Sequence, residues 1–213
     1  MVIQPVTENP SYPFIIIDDF YDSREQQLIW QELDYYWGKF VNENQDTTGA
    51  RANQEEDGTG KSKNSSFRVY LDKVYSQEYR YFSNILSVYK KILNEEVIEA
   101  VKEHMPTAPM LGLSNSDCSQ ISYYDTGDFY EAHRDLFDYT VLVWFFKEPK
   151  KFAGGTLVLP DSNQKIECKH NRLVMIPSFY LHAVTPIKMS GVCQGKGLGR
   201  YTLTHFYWYD RNK

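Results

Sequence analysis

The chain has 213 residues, 42% of them hydrophobic and 24% charged, which is the balance of a globular protein with a sizeable core. Lys and Arg total 23 against 28 Asp and Glu, giving a net charge of −5, so no broad electrostatic footprint for nucleic acid or anionic lipid is present. Cys118, Cys168 and Cys193 are far apart and odd in number, which argues against a disulfide framework or a thiolate zinc site. The start, MVIQPVTENPSYPF, lacks the pattern of a signal peptide, and no apolar run reaches membrane-spanning length, so the expected location is cytoplasmic.

In chain order, FIIIDDFY (14–21) reads as a short buried strand. The following DSREQQLIWQELDYYW reads as a helix, with Ser23 and Gln26 in capping-box spacing and Ile29, Leu33 and Tyr36 on one face. Residues 41–66 are polar and without apolar period, which suggests a lid or a disordered loop. FRVYLD (67–72) alternates like an edge strand. Residues 79–103 step apolar side chains by three and four, from Phe82 to Leu93, and predict one long helix ending near His104.

After Pro106 the character changes. Eight short β-type runs follow: CSQISYYD, DFYEAHRD, YTVLVWFF, GTLVLP, KIECKH, RLVMIP, LHAVTP and RYTLTHFYWY. They predict a mainly β, closed or sandwich-like fold with the N-terminal helices packed outside, in a single domain spanning 1–213. Residues 1–110 would give helical support and residues 115–210 the β core.

Within FYEAHRD, a strand would send His133 and Asp135 to one face and Arg134 to the other. His182, in IPSFYLHAVTP, starts a later strand that can lie beside the first. His170, before Asn171, has the setting of a hairpin turn, and His205 should face away from Arg200, Thr202 and Thr204. Two imidazoles and one carboxylate form the facial triad of non-haem Fe(II) sites, which leaves three coordination positions open. Zinc more often closes a tetrahedron and leaves one. An inward Arg200 on the last strand would be costly without an anion, such as the far carboxylate of a dicarboxylate.

The order His133-Arg134-Asp135, His182, Arg200 resembles the HxD…H…R pattern of the 2-oxoglutarate and Fe(II)-dependent oxygenases, and most of all their prolyl-hydroxylase-like group. YYDTGDFYEAHRD, AGGTLVLP, RLVMIPSFYLHAVTPI and RYTLTHFYWYD carry the likeness, over roughly residues 115–210. The resemblance implies a double-stranded β-helix, or jelly roll. It implies Fe(II) on His133, Asp135 and His182, with 2-oxoglutarate held at its distal carboxylate by Arg200. Thr204 and one of Tyr123 and Tyr124 match positions that support that carboxylate. O2 would be the second cosubstrate and ascorbate an optional reductant. The implied reaction is C–H hydroxylation of a prolyl residue in a peptide or protein, or alternatively of a free amino acid or other small molecule. A non-catalytic cupin-like metal-binding module is the reading from another class. A nucleic-acid dealkylating activity is disfavoured, because Phe206 stands where that branch has a second Arg.

Overall fold

A computed structural model describes residues 1–4, 11–42, 52–54 and 60–213. Its centre is an antiparallel eight-stranded sheet. The order across it is Val2–Gln4, Ile15–Asp18, Arg172–Pro177, Tyr139–Phe145, Arg200–Trp208, Ser116–Tyr124, Phe67–Tyr70 and Val41–Asn42. A smaller five-stranded sheet faces it, ordered Gln164–Ile166, Leu157–Leu159, His182–Val184, Phe129–His133 and Asn64–Ser65. Two antiparallel sheets stacked in this way are a jelly roll.

All eight β-type runs after Pro106 contain strands. Tyr139–Phe145 and Arg172–Pro177 are buried along their whole length, as expected of central strands covered on both faces. One face of the large sheet packs on the helices through Ile121, Tyr123, Val141, Val143, Tyr201 and Leu203. The other meets the small sheet through Tyr124, Leu142, Trp144, Leu157 and Val174. Alternation along each strand therefore separates a helix-facing core from a cavity-facing one.

The N-terminal half differs from the sequence expectation in three ways. Residues before 115 are more than helical support: they add four strands to the large sheet and Asn64–Ser65 to the small one. The helix Ser23–Tyr36 is capped by Asp22 and Glu25, rather than by Ser23 and Gln26. Asp22 Oδ1 accepts from Glu25 N at 2.9 Å, and Asp22 N donates to Glu25 Oε2 at 2.8 Å. The long helix expected over 79–103 is broken into Gln77–Phe82, Asn84–Val88, Tyr89–Leu93 and Glu95–Val101, alternating 3₁₀ and α. Ser83 and Asn94 take extended backbone at the joints. Ser83 Oγ also bonds the buried Glu32 carboxylate at 2.9 Å, and Glu32 in turn accepts from Ile85 N at 2.8 Å. These bonds give the backbone at the joint an alternative to continuing the helix.

The expected lid over 41–66 falls partly on residues 43–51 and 55–59, which lie outside the described residues. Most of the rest of that segment is strand: Val41–Asn42 extends the large sheet, Ala52–Gln54 pairs with Gly60–Ser62, and Asn64–Ser65 joins the small sheet.

Candidate metal and cosubstrate site

The two sheets form a pocket between them that holds the expected ligand set. His182 is directly opposite His133 across the antiparallel pair formed by their strands. Asp135 arrives differently from the expectation: the strand ends at His133, and Asp135 lies on the loop that follows. Backbone and side-chain bonds place it. Its N–H donates to Ser178 O at 2.9 Å, and Thr140 Oγ1 donates to Asp135 Oδ2 at 2.7 Å. One donor atom from each of His133, Asp135 and His182 lies within 4.8 Å of the others.

The hydrogen bonds decide which imidazole nitrogens face the cavity. His133 Nδ1 donates to Glu131 O at 2.8 Å, and His182 Nδ1 donates to Tyr180 O at 2.9 Å. Each Nε2 is then the ring nitrogen turned into the cavity, and the two stand 3.7 and 3.4 Å from the Asp135 carboxylate. Such outer bonds fix the tautomer and orientation a metal ligand needs. Burial, then the neighbouring His182, pushes the His133 imidazole down to about 4. Burial also opposes charge on His182, but the hydrogen bond and charge of Asp135 outweigh it and raise that imidazole. Burial opposes ionisation of Asp135 as well, yet His182 beside it holds the carboxyl below its ordinary value. One neutral imidazole, one carboxylate and a second imidazole in hydrogen-bond contact with it form a donor set suited to Fe(II).

Arg200 is 1% exposed and lines the same cavity. Its guanidinium carbon stands 4.2 Å from the Tyr124 ring centroid, and Nη1 donates to Gly155 O at 2.7 Å. Among the described residues its Nε has no hydrogen-bond partner, nor has the buried Thr202 Oγ1. Buried polar atoms left open in this way fit an incoming carboxylate. The Gly154–Gly155 turn makes room for the cation. Both glycines have positive φ, and a Cβ on Gly155 would come within 2.6 Å of Ile187 Cδ1 and 3.4 Å of Arg200 Cδ.

Of the two candidate tyrosines, Tyr124 lines the cavity and Tyr123 does not. Tyr123 points into the helix-side core, its hydroxyl donating to Asp125 Oδ2 at 3.0 Å and accepting from Gly199 N at 3.1 Å. Adjacent residues of one strand cannot share a face, so the register separates the two candidates. Thr204 lines the cavity, and so does Phe206. His205 faces the opposite core, as its alternation with Thr204 predicts, and sits 2.7 Å from Ser119 Oγ. His170 lies in a turn, its ring stacked on Trp30.

Sequence reasoning missed Arg68, Tyr130 and Thr140. Tyr130 stacks on the His133 ring with centroids 3.5 Å apart. Arg68 is buried in the cavity wall, its Nε donating to Ser66 Oγ at 3.2 Å. The alternation in FRVYLD was the available signal, since it already placed Arg68 and Val69 on opposite faces.

Comparison with known proteins agrees with this geometry. Residues 119–208 match the model of the 2OG-Fe(II) oxygenase superfamily. An uncharacterised PKHD-type hydroxylase of a Synechocystis strain is 26% identical over 124 residues, which is 54% of this chain and 39% of that protein, so the match spans well under half of the curated relative. A Pseudomonas putida prolyl-4-hydroxylase superposes with a TM-score of 0.54 at 15% identity, covering 94% of each chain. A Trichoplax adhaerens prolyl hydroxylase, solved with a hypoxia inducible factor peptide, gives 0.58 at 15% identity over 93% of this chain and 84% of that one. At that identity the likeness is one of fold. Fold, matched segment and ligand set are together similar to those of the 2OG-Fe(II) oxygenase superfamily. Within that class, the fold is similar to that of the two prolyl hydroxylases.

Proposed function

We propose that the chain is one domain that hydroxylates a C–H bond using Fe(II), 2-oxoglutarate and O2, with release of succinate and CO2, and that its substrate is a prolyl residue of a peptide or protein. The observation that carries this reading is the convergence of His133, Asp135, His182 and an anion-seeking Arg200 in one cavity. The iron and cosubstrate supply the oxygen chemistry when bound. The chain's own residues do the rest. His133, Asp135 and His182 hold the metal, and Thr140 and two backbone carbonyls keep their donor atoms turned inward. Arg200, with Tyr124 beside it and Thr204 further along the same face of the strand, receives the cosubstrate's distal carboxylate. Leu142, Trp144 and Leu157 present an apolar wall that limits water around it.

The prolyl assignment draws support from the PKHD-type relative and from the two prolyl hydroxylase folds. A free amino acid or other small acid is the second reading, favoured by the buried Arg68. A metal-binding module without turnover has no use for a buried Arg200, and Phe206 gives the cavity an apolar ring where a second Arg would serve nucleic-acid dealkylation. A reducing compartment, the cytoplasm, suits the free thiols of Cys118, Cys168 and Cys193. No helix among the described residues is long and apolar enough to cross a membrane.

Anaerobic titration with Fe(II), with and without 2-oxoglutarate, tests the reading. His133→Ala should abolish metal binding. Arg200→Ala should keep the metal and weaken 2-oxoglutarate about 10- to 100-fold, the scale of a lost charge-assisted contact. Unchanged 2-oxoglutarate affinity in Arg200→Ala would reject it.

A further inference from the structure

The buried arginines of this protein fall into two kinds. Arg172 has Asp18 as a two-pronged partner at 2.5 and 2.8 Å. Arg80, part-buried, has both Asp117 and Asp72. Arg68 and Arg200 have no carboxylate within ion-pair distance among the described residues, and both line the cavity that holds the His-Asp-His cluster. A guanidinium cannot shed its proton, so burying one without an anion is costly unless a ligand brings the anion.

Arg200 and Arg68 are separate anchoring points. Arg68 pairs in register with Ser122, which pairs with Thr202, one same-face step along the final strand from Arg200. Two strand spacings and one such step put their Cα atoms roughly 12 Å apart. Arg68 belongs to the metal's surroundings all the same. Its guanidinium carbon is 5.2 Å from the Tyr130 ring centroid, and Tyr130 stacks directly on His133. One aromatic ring separates the cation from a metal ligand.

Charge completes the picture. With Fe(II), Asp135, 2-oxoglutarate as a dianion and Arg200 in place, the charges cancel, and Arg68 leaves one positive charge over. We propose that Arg68 holds a carboxylate of the substrate itself, close to the carbon that is oxidised. The proposal rests on the hydroxylase reading above and narrows its substrate class to molecules with an acid group near the reacting C–H. Two sources share that chemistry: the α-carboxylate of a free amino acid, or an acidic side chain or C-terminus next to the target residue of a peptide.

The test uses full-length protein loaded with Fe(II) and 2-oxoglutarate under nitrogen. Ligands come in matched pairs: each free amino acid with its amide, and prolyl peptides carrying Glu or Gln beside the proline, each with a free or amidated C-terminus. The readouts are the shift in Tm with ligand concentration and, after oxygen is admitted, succinate release. At least one carboxylate ligand should raise Tm while its neutral twin does not, and which pair responds identifies the source. Arg68→Gln and Arg68→Lys should weaken that ligand about 10- to 100-fold and leave 2-oxoglutarate affinity unchanged. Neutral twins binding equally, no carboxylate ligand responding, or Arg68 variants binding as the wild type does would each overturn the proposal. The wild-type comparison of twins stands even if an Arg68 variant fails to fold. If 2-oxoglutarate itself does not bind, the hydroxylase reading fails, while the carboxylate and amide pairs still decide Arg68.

Discussion

Thr140 carries no metal-binding group, yet its hydroxyl is a clear test of how the site is held. It donates to Asp135 Oδ2 and stands 2.8 Å from Ser178 Oγ, while Ser178 O accepts from Asp135 N. Asp135 lies on a loop, so these bonds do the positioning that a strand would otherwise do. Thr140→Val keeps the shape and removes the donor. It should weaken Fe(II) binding about 10-fold, the lower end of what outer-sphere partners contribute, with little change in Tm. Metal titration of the variant checks it, and wild-type affinity would show that the loop backbone alone suffices. Gly155 acts on the other anchor. Its φ of +68 and the 2.6 Å approach of Ile187 leave no room for a methyl group. Gly155→Ala should therefore displace the turn whose carbonyl accepts from Arg200. The expected result is several-fold weaker 2-oxoglutarate binding with Fe(II) affinity kept; loss of both together would point to general misfolding.

At the scale of elements, the first helix offers a sharp comparison. Asp22 and Glu25 exchange bonds across the N-terminus, while Ser23 is already helical. Asp22→Ala should cost about 1 kcal/mol in urea unfolding, and Ser23→Ala should cost almost nothing. The reverse order would restore the capping box first read from the sequence, which lay one residue further along. That slip shows what local pattern can and cannot decide. Ser and Asp both cap helices, so spacing alone left two registers open. The strands after Pro106 were legible because buried β-runs are apolar and bounded by turn residues. Val41–Asn42 and Asn64–Ser65 were not: they are two residues long, show no apolar alternation, and exist only through distant partners. The stripe over 79–103 misled for a related reason. Steps of three and four serve 3₁₀ and short α pieces as well as one long helix, and the break at Ser83 depends on Glu32, fifty-one residues away. Of the candidate site, His133, Asp135, His182 and Arg200 could be read because a metal with an anionic cosubstrate would call for such residue types in a set order. Thr140 could not, since nothing local in YTVLVWFF says which partner lies across the fold, and the alternation in FRVYLD gives Arg68 a face without saying what it faces.

Over the whole molecule, the large sheet separates two interiors that respond differently to acid. The cavity side holds charge in ligand-like groups, whereas the helix side holds His205, 1% exposed, with Nδ1 on Ser119 and Nε2 without a partner among the described residues. Tyr89 lies against its ring, and Asp117 and Arg80 are the charged groups that act on it, in opposite directions. Burial dominates and pushes the imidazole down to about 3. The unfolded chain takes up a proton at this residue near pH 6.5, and the folded one does not until far lower. Between those limits the unfolded state binds more protons, so stability from this site falls as pH falls, by up to about 1.4 kcal/mol per pH unit. Other groups titrate in the same window: burial raises the carboxyls of Glu32, Asp72 and Asp128, and they work the opposite way. A difference between two proteins isolates the one residue. His205→Phe keeps a ring against Tyr89 and cannot take a proton. Urea unfolding at pH 7.5 and 5.0 should show the wild type losing about 2 kcal/mol relative to this variant over that interval. An unchanged difference would mean that the folded protein admits the proton, and that the sheet and its helices open around His205 well above pH 5.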